Sequence, residues 1–214
     1  MRCTSRRRSW SPDRAAGGLI LLASRSPQRR ALLRASGIAH RVVASRYGED
    51  DIAGLTPREL VAEHAAAKAR DVAVRSGVPE GGAVLGADTA VVLGDRVLGK
   101  PADRAEAREM LTALAGQRHT VATAVCLVTA AGEHAFVDET DVWFRSYGDD
   151  QTGWYLEQGE WQGRAGGYAI QGSGASLVDR IDGDFTTVVG LPVARLVAIL
   201  ETLGLAPWQS SSPR

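Results

Sequence analysis

Lysine is almost missing from this 214-residue chain. Of its 25 basic residues 23 are arginine, and the two lysines are Lys68 and Lys100. An ammonium and a guanidinium are not interchangeable at a tight site, so the two are either chance survivors or positions where only a compact point charge serves. Cysteine is scarce too: Cys3 and Cys126 cannot build a disulfide framework or a four-ligand zinc site. No apolar run approaches the roughly 20 residues that span a bilayer. A formal charge of zero, 25 basic against 25 acidic groups, argues against a protein that coats nucleic acid. There is no G-x-x-x-x-G-K-[ST] string, no H-E-x-x-H helix and no serine nucleophile elbow, which leaves P-loop, zincin and serine-hydrolase chemistry unsupported. His40, His64, His119 and His134 are scattered, so any metal would be held by oxygen, favouring magnesium or manganese.

The zero charge is a sum of unlike parts. Residues 1–18 contain five arginines and one aspartate and read as a disordered basic tail at +4, leaving the body at −4. The tail lacks the apolar core of a secretory signal, and the expected location is cytoplasmic. One domain is expected over 19–206, followed by a polar C-terminal tail at 207–214. Leu19–Ala23 reads as a buried strand, a short helix follows from about Gln28 to Ser36, and His40–Ser45 reads as a second strand. Thr56-Pro57-Arg58-Glu59 is a capping box with proline in the first helical position, opening a helix to about Arg75. Ala83–Gly86 is expected as a strand, with a separate hairpin of Val91–Leu93 and Val97–Leu98 around Gly94-Asp95. Asp103 caps another helix. Two long strands, His119–Thr129 and His134–Arg145, a helix near Asp150–Gln158, and a helix from Pro192 to Leu203 complete the order. Strands and helices mix without regular alternation, so the fold class is α/β, one domain on a mixed sheet rather than a doubly wound parallel one.

Three segments could carry chemistry. Ser24-Arg25-Ser26-Pro27-Gln28-Arg29-Arg30 joins a buried strand to a helix N-terminus, where free N–H groups, hydroxyls and guanidiniums suit phosphate oxygens; a capped helix with solvated arginines reads equally well. Gly86-Ala87-Asp88-Thr89 places a carboxylate among small residues at the end of a strand, able to hold a hard cation or orient a water, or simply to stabilise a turn. Lys100 follows soon after, held extended by Pro101. The glycine-rich run from Gly159 to Gly172 lets backbone approach a ligand, with Tyr168 and Gln171 able to stack on and hydrogen-bond a base.

Taken in order, LASRSPQRRALL, EHAAAKA, GADTAVVLGDRVLGKP, AREMLTALAGQRHTVATAV, ETDVWFR, GRAGGYAIQG and GDFTTVVGLPV resemble the Maf family of nucleoside triphosphate pyrophosphatases, from Leu19 to about Leu203. The resemblance implies an elongated α/β fold with a cleft between two lobes, and hydrolysis of the α–β phosphate bond of a nucleoside triphosphate with a divalent cation. By position it implies Asp88 as catalytic carboxylate and metal ligand, with Glu49 as the second ligand. Ser24, Ser26, Arg29, Lys68 and Lys100 fall at phosphate-binding positions. Thr89 and Gln171 fall at positions that recognise the substrate and its base. It is compatible with a homodimer and implies no stable nucleic-acid or membrane partner.

The chain departs from the family pattern in places. Arg46 stands where many members carry an acid, with Asp50 or Asp51 near enough to compensate. Gln28 stands where thymidine and uridine types carry arginine and the 7-methylguanosine type carries tryptophan, leaving base preference open at a third specificity position. Gly163 replaces an aspartate. A non-catalytic nucleotide-binding regulator remains the alternative from another class, and a nucleic-acid binder acting through the arginine tail is the third.

Overall fold

A computed structural model describes residues 18–49, 52 and 54–209. The basic tail before Gly18, Asp50, Asp51 and residues 210–214 lie outside them. The elements run β1 (Ile20–Leu22), α1 (Pro27–Ala35), β2 (His40–Val42), α2 (Pro57–Ser76), β3 (Ala83–Leu93), β4 (Arg96–Leu98), α3 (Arg104–Leu114), β5 (Arg118–Thr129), β6 (Gly132–Phe144), α4 (Asp149–Glu157), β7 (Val178–Asp182), α5 (Phe185–Val189) and α6 (Val193–Thr202). The seven strands form one mixed sheet in the order β2-β1-β3-β5-β6-β7, with β4 paired to β3 off this path. β1 pairs in parallel with β2 and β3, while every other pairing is antiparallel. Among the described residues no helix is long and apolar enough to cross a membrane.

Local chemistry explains the ends that the sequence announced. Thr56 Oγ1 accepts from Glu59 N, and Glu59 returns the bond to Thr56 N at 2.8 Å, closing the capping box of α2. Asp103 accepts from Glu106 N at 2.9 Å and starts α3. The last helix begins one residue later than expected, with Pro192 in the cap position.

β3 corrects the sequence reading. Ala83–Gly86 and Val91–Leu93 are not two strands but parts of one 11-residue strand, and Asp88 lies in its middle rather than at an end. β5 pairs along it continuously from Val84 to Val92. On its other edge β1 pairs only Ala83–Leu85 and β4 only Val91–Leu93. The segment between them, residues 86–90, therefore has one open edge, and Asp88 and Thr89 sit on it.

Side chains alternate across a strand, so this opening presents both faces at once. One face packs under α2, where Val84, Ala90, Ala122, Ala124 and Cys126 meet Val61, Ala65, Ala69 and Val72. The opposite face splits into two cores. Ile20, Leu22, Leu33, Leu85, Leu127, Leu196 and Leu200 form one with α1 and α6. Val91, Leu111, Leu114, Val121, Phe144, Tyr155 and Leu156 form the other with α3 and α4. The expected two lobes are these two cores, and the cleft lies between them.

Gly86 sets the depth of the α2 contact. A β-carbon there would strike the Ala65 carbonyl oxygen and come within 2.7 Å of Ala69 N. Only a bare backbone lets the helix settle this close to the strand, and Lys68 lies between those two helix residues.

Candidate active site

A cavity of about 580 Å³ opens at the unpaired edge of β3, within the size range of small-ligand sites. The ten residues proposed for catalysis, binding or specificity line it: Ser24, Ser26, Gln28, Arg29, Glu49, Lys68, Asp88, Thr89, Lys100 and Gln171. Arg25 and Arg164 line it as well, so five cations face two carboxylates in a chain of zero formal charge. The cavity is thus an attractive well for a polyanion.

The carboxylates and lysines form a continuous relay. Lys68 Nζ lies 2.6 Å from Asp88 Oδ1 and 2.7 Å from Glu49 Oε1, while Lys100 Nζ lies 3.0 Å from Glu49 Oε2. Lys68 and Asp88 are buried, 5% and 9% exposed, whereas Lys100 is open to solvent. Burial pushes the Glu49 pKa up, but the hydrogen bonds and charges of Lys68 and Lys100 outweigh it and hold it at about 2. Glu49 is therefore an anion at neutral pH. Two carboxylates meet on the Lys68 ammonium, and their oxygens are the donor type a hard divalent ion takes, although no group of three or more His, Cys, Asp or Glu side chains converges among the described residues.

The second network stiffens the opposite wall. Arg29 donates from Nε to the Gly190 carbonyl (2.8 Å), from Nη1 to Ser24 Oγ (3.1 Å) and from Nη2 to Thr89 Oγ1 (3.0 Å). Thr123 Oγ1 spends its proton on the Thr187 carbonyl, so the Thr89 hydroxyl must donate to Thr123. Thr89 can then offer a ligand only an acceptor. Burial lowers the Arg29 pKa, with Asp88 and Glu49 pulling it back up. Ser26 caps α1, accepting from Arg29 N and donating to Gln28 Oε1, and Gln28 itself lines the cavity with its amide nitrogen left as a donor.

The glycine-rich segment behaves differently from the expectation at one point. Tyr168 is buried, its hydroxyl bonded to His119 Nε2 at 2.8 Å and its ring packed edge-on against His119 and Phe144. It lines the cavity at only 5% exposure, which leaves little of its ring open to a base. Gly166, at φ 67°, donates to the Gly99 carbonyl and so ties this segment to the one carrying Lys100. Gln171 is exposed at the rim.

Arg164 escaped the sequence reading. Its Nε is buried without a hydrogen-bond partner among the described residues, and burial lowers its pKa against the pull of Tyr155 and Glu160. In an arginine-rich chain no spacing distinguishes it from a surface arginine.

Comparison with known proteins bears on this geometry. The model of the Maf-like protein family matches residues 19–203. The chain belongs to this family. Among its Maf relatives is a dTTP/UTP pyrophosphatase of Pelotomaculum thermopropionicum, 45% identical over 187 residues, covering 86% of this chain and 96% of the relative. Another, from Symbiobacterium thermophilum, is 46% identical over 185 residues, covering 86% and 94%. A third, from Pyrococcus furiosus, is 41% identical over 184 residues, covering 85% and 94%. Both are also named dTTP/UTP pyrophosphatase. The whole Maf domain, including the open edge of β3 and every lining residue named above, falls inside the matched range.

Proposed function

We propose that this Maf protein hydrolyses the α–β anhydride of nucleoside triphosphates, giving the monophosphate and pyrophosphate, with UTP and dTTP as substrates. The supporting observation is the Lys100–Glu49–Lys68–Asp88 relay on the wall of a net-positive cavity. A triphosphate brings about four negative charges, and the two ammoniums are the mobile donors able to turn from carboxylate to phosphate oxygen. Arg29 contributes less directly, since three of its five N–H groups are already used inside the protein.

In the reaction, a water adds to the α-phosphorus as the bond to the α–β bridging oxygen breaks. Asp88 orients that water and takes its proton. Lys68 and Lys100 stabilise the charge that collects on the departing pyrophosphate, the electrostatic task that dominates phosphoryl transfer. Glu49 and Asp88 would hold Mg²⁺ or Mn²⁺, which supplies a more acidic water and neutralises phosphate charge. At the base, the amide donors of Gln28 and Gln171 match the carbonyl oxygens of uracil and thymine.

The test is turnover in ¹⁸O-labelled water with UTP, dTTP, CTP and purine triphosphates, with Mg²⁺ or Mn²⁺ present. Pyrophosphate should appear, with label only in the monophosphate. Release of orthophosphate, or label in pyrophosphate, overturns the assignment of the attacked phosphorus. Tight triphosphate binding with no turnover in either metal would instead make the chain a nucleotide-binding regulator.

A further inference from the structure

Residues 43–49 belong to no helix or strand, yet Glu49 at their end is held within ion-pair distance of both lysines. An irregular segment does not hold a side chain in register by itself, because ordering it costs conformational entropy. The restraint comes from α2. Asp71 Oδ2 accepts from Ser45 Oγ at 2.9 Å and from Arg46 N at 2.8 Å. Ser45 Oγ accepts in turn from Tyr47 N at 3.0 Å, and Tyr47 Oη lies 3.1 Å from His64 Nδ1. Arg75 locks the anchor: it donates to Asp71 Oδ1 from Nε and to Oδ2 from Nη2, and Nη2 also reaches the Ala44 carbonyl at 3.0 Å.

His64, Lys68, Asp71 and Arg75 are spaced four, three and four apart, which places them on one face of the helix. The stripe that delivers Lys68 to the carboxylates also ties down the segment that delivers Glu49. We propose that Asp71 is a positioning residue for the reaction, acting through Glu49, and that the clasp from Ala44 to Tyr47 fixes the distance between Glu49 and Lys68. This rests on the pyrophosphatase reading above. It also explains how arginine is accommodated at 46: the clasp uses its backbone N–H, and no side-chain bond of Arg46 takes part.

The experiment is a double-mutant cycle on the full chain with UTP and Mg²⁺, reading kcat, KM and Tm. Asp71→Ala should lower kcat/KM by about 10–100-fold, the scale expected when a group is displaced by about 1 Å. In a Glu49→Gln background the same change should cost less than threefold, because its route of action is already gone. Asp71→Asn, which keeps an acceptor for Arg46 N, should retain more activity than the alanine variant. Equal losses in both backgrounds, or full activity of Asp71→Ala, overturn the proposal. If Asp71→Ala does not fold, Ser45→Ala, which removes one strand of the clasp, takes its place in the cycle. If the parent chain releases no pyrophosphate, the activity reading fails by itself. The same cycle is then read on UTP binding, where additive losses again overturn the role given to Asp71.

Discussion

Substituting alanine for Gly86 tests the central geometric claim, that the reach of Lys68 depends on how closely α2 lies on β3. The added methyl group would sit 2.7 Å from Ala69 N, and an ordinary contact begins at 3.4 Å, so that atom alone demands about 0.7 Å of retreat. The Ala65 carbonyl demands more, and both are backbone, so no side chain can rotate out of the way. Overpacking of this kind costs about 1–3 kcal/mol, and the chain entropy saved by alanine returns at most about 1 kcal/mol. The net cost is at most about 3 kcal/mol, and at roughly 2–4 °C per kcal/mol for a domain of this length Tm should fall by up to about 12 °C. Lys68 rides on the displaced turn, so a retreat near 1 Å pulls on its 2.6 Å bond to Asp88. A misplacement of that size costs about 10²-fold in rate. Turnover of UTP at 25 °C, well below the transition, separates this loss from unfolding, and differential scanning calorimetry gives Tm. Gly99→Ala is the control: it directly precedes Lys100 in the chain, a β-carbon there meets nothing within 4 Å, and it should change neither reading by much. If Gly86→Ala kept wild-type kcat and Tm, the argument that this glycine seats α2 would be wrong.

Other expectations follow from the same structure. Asp88→Asn keeps the shape but not the basicity of the carboxylate, and kcat should fall on the order of 10²–10³-fold in a pyrophosphate-release assay; near-normal turnover would remove Asp88 from its role. His119 is buried and its pKa is lowered to about 4 by desolvation, partly offset by Asp141, from an ordinary value of 6.5. A depressed histidine binds its proton more readily unfolded, so stability should be full above pH 6.5 and decline towards pH 4 with a slope of up to about 1.4 kcal/mol per pH unit; urea titrations across that range should show the slope reduced in His119→Gln. Arg164→Ala removes from the cavity wall a guanidinium whose Nε has no hydrogen-bond partner among the described residues, and should raise KM for UTP about tenfold with kcat and Tm little changed; an unchanged KM would place that side chain outside the binding surface.

What the sequence made legible was mostly local. Thr56 and Glu59, or Asp103 and Glu106, meet within one helical turn, so cap chemistry can be read from spacing alone. The two long strands β5 and β6 were visible as long runs of strand-like sequence joined by a short turn. β3 was misjudged because Gly86, Ala87 and Asp88 resemble a break, and their small size is explained only by α2 packing above them. β7 and α5 went unseen for simpler reasons: the first is a short, charged strand at the sheet edge, and the second has five residues, too few to display a helical period. The residues proposed for the site line one cavity, Arg164 was missed, and the partners of those residues were not foreseen. Arg29 and Thr123 are anchored on the carbonyls of Gly190 and Thr187, 161 and 64 residues away, and a backbone carbonyl leaves no mark in the sequence.

The scarcity of lysine acquires a reason from the acceptors that surround each cation. Lys68 is enclosed, with two carboxylate oxygens closing on one nitrogen at 2.6 and 2.7 Å. A point charge with rotatable donors fits that convergence, whereas a flat guanidinium would spread its N–H groups past both oxygens and need room the buried site lacks. Arg29 faces the opposite demand. Its three acceptors, Gly190 O, Ser24 Oγ and Thr89 Oγ1, diverge around the planar fork, each on a different nitrogen. A single ammonium could not reach all three without drawing the walls together. Lys100 is exposed and among the described residues pairs with Glu49 alone, so crowding does not explain it. What it shares with Lys68 is Glu49, each lysine on a different carboxylate oxygen, so a polyanion at Glu49 would compete for both. Convergent acceptors select lysine and divergent ones select arginine, and in this cavity the convergent set is the one that a triphosphate would rearrange.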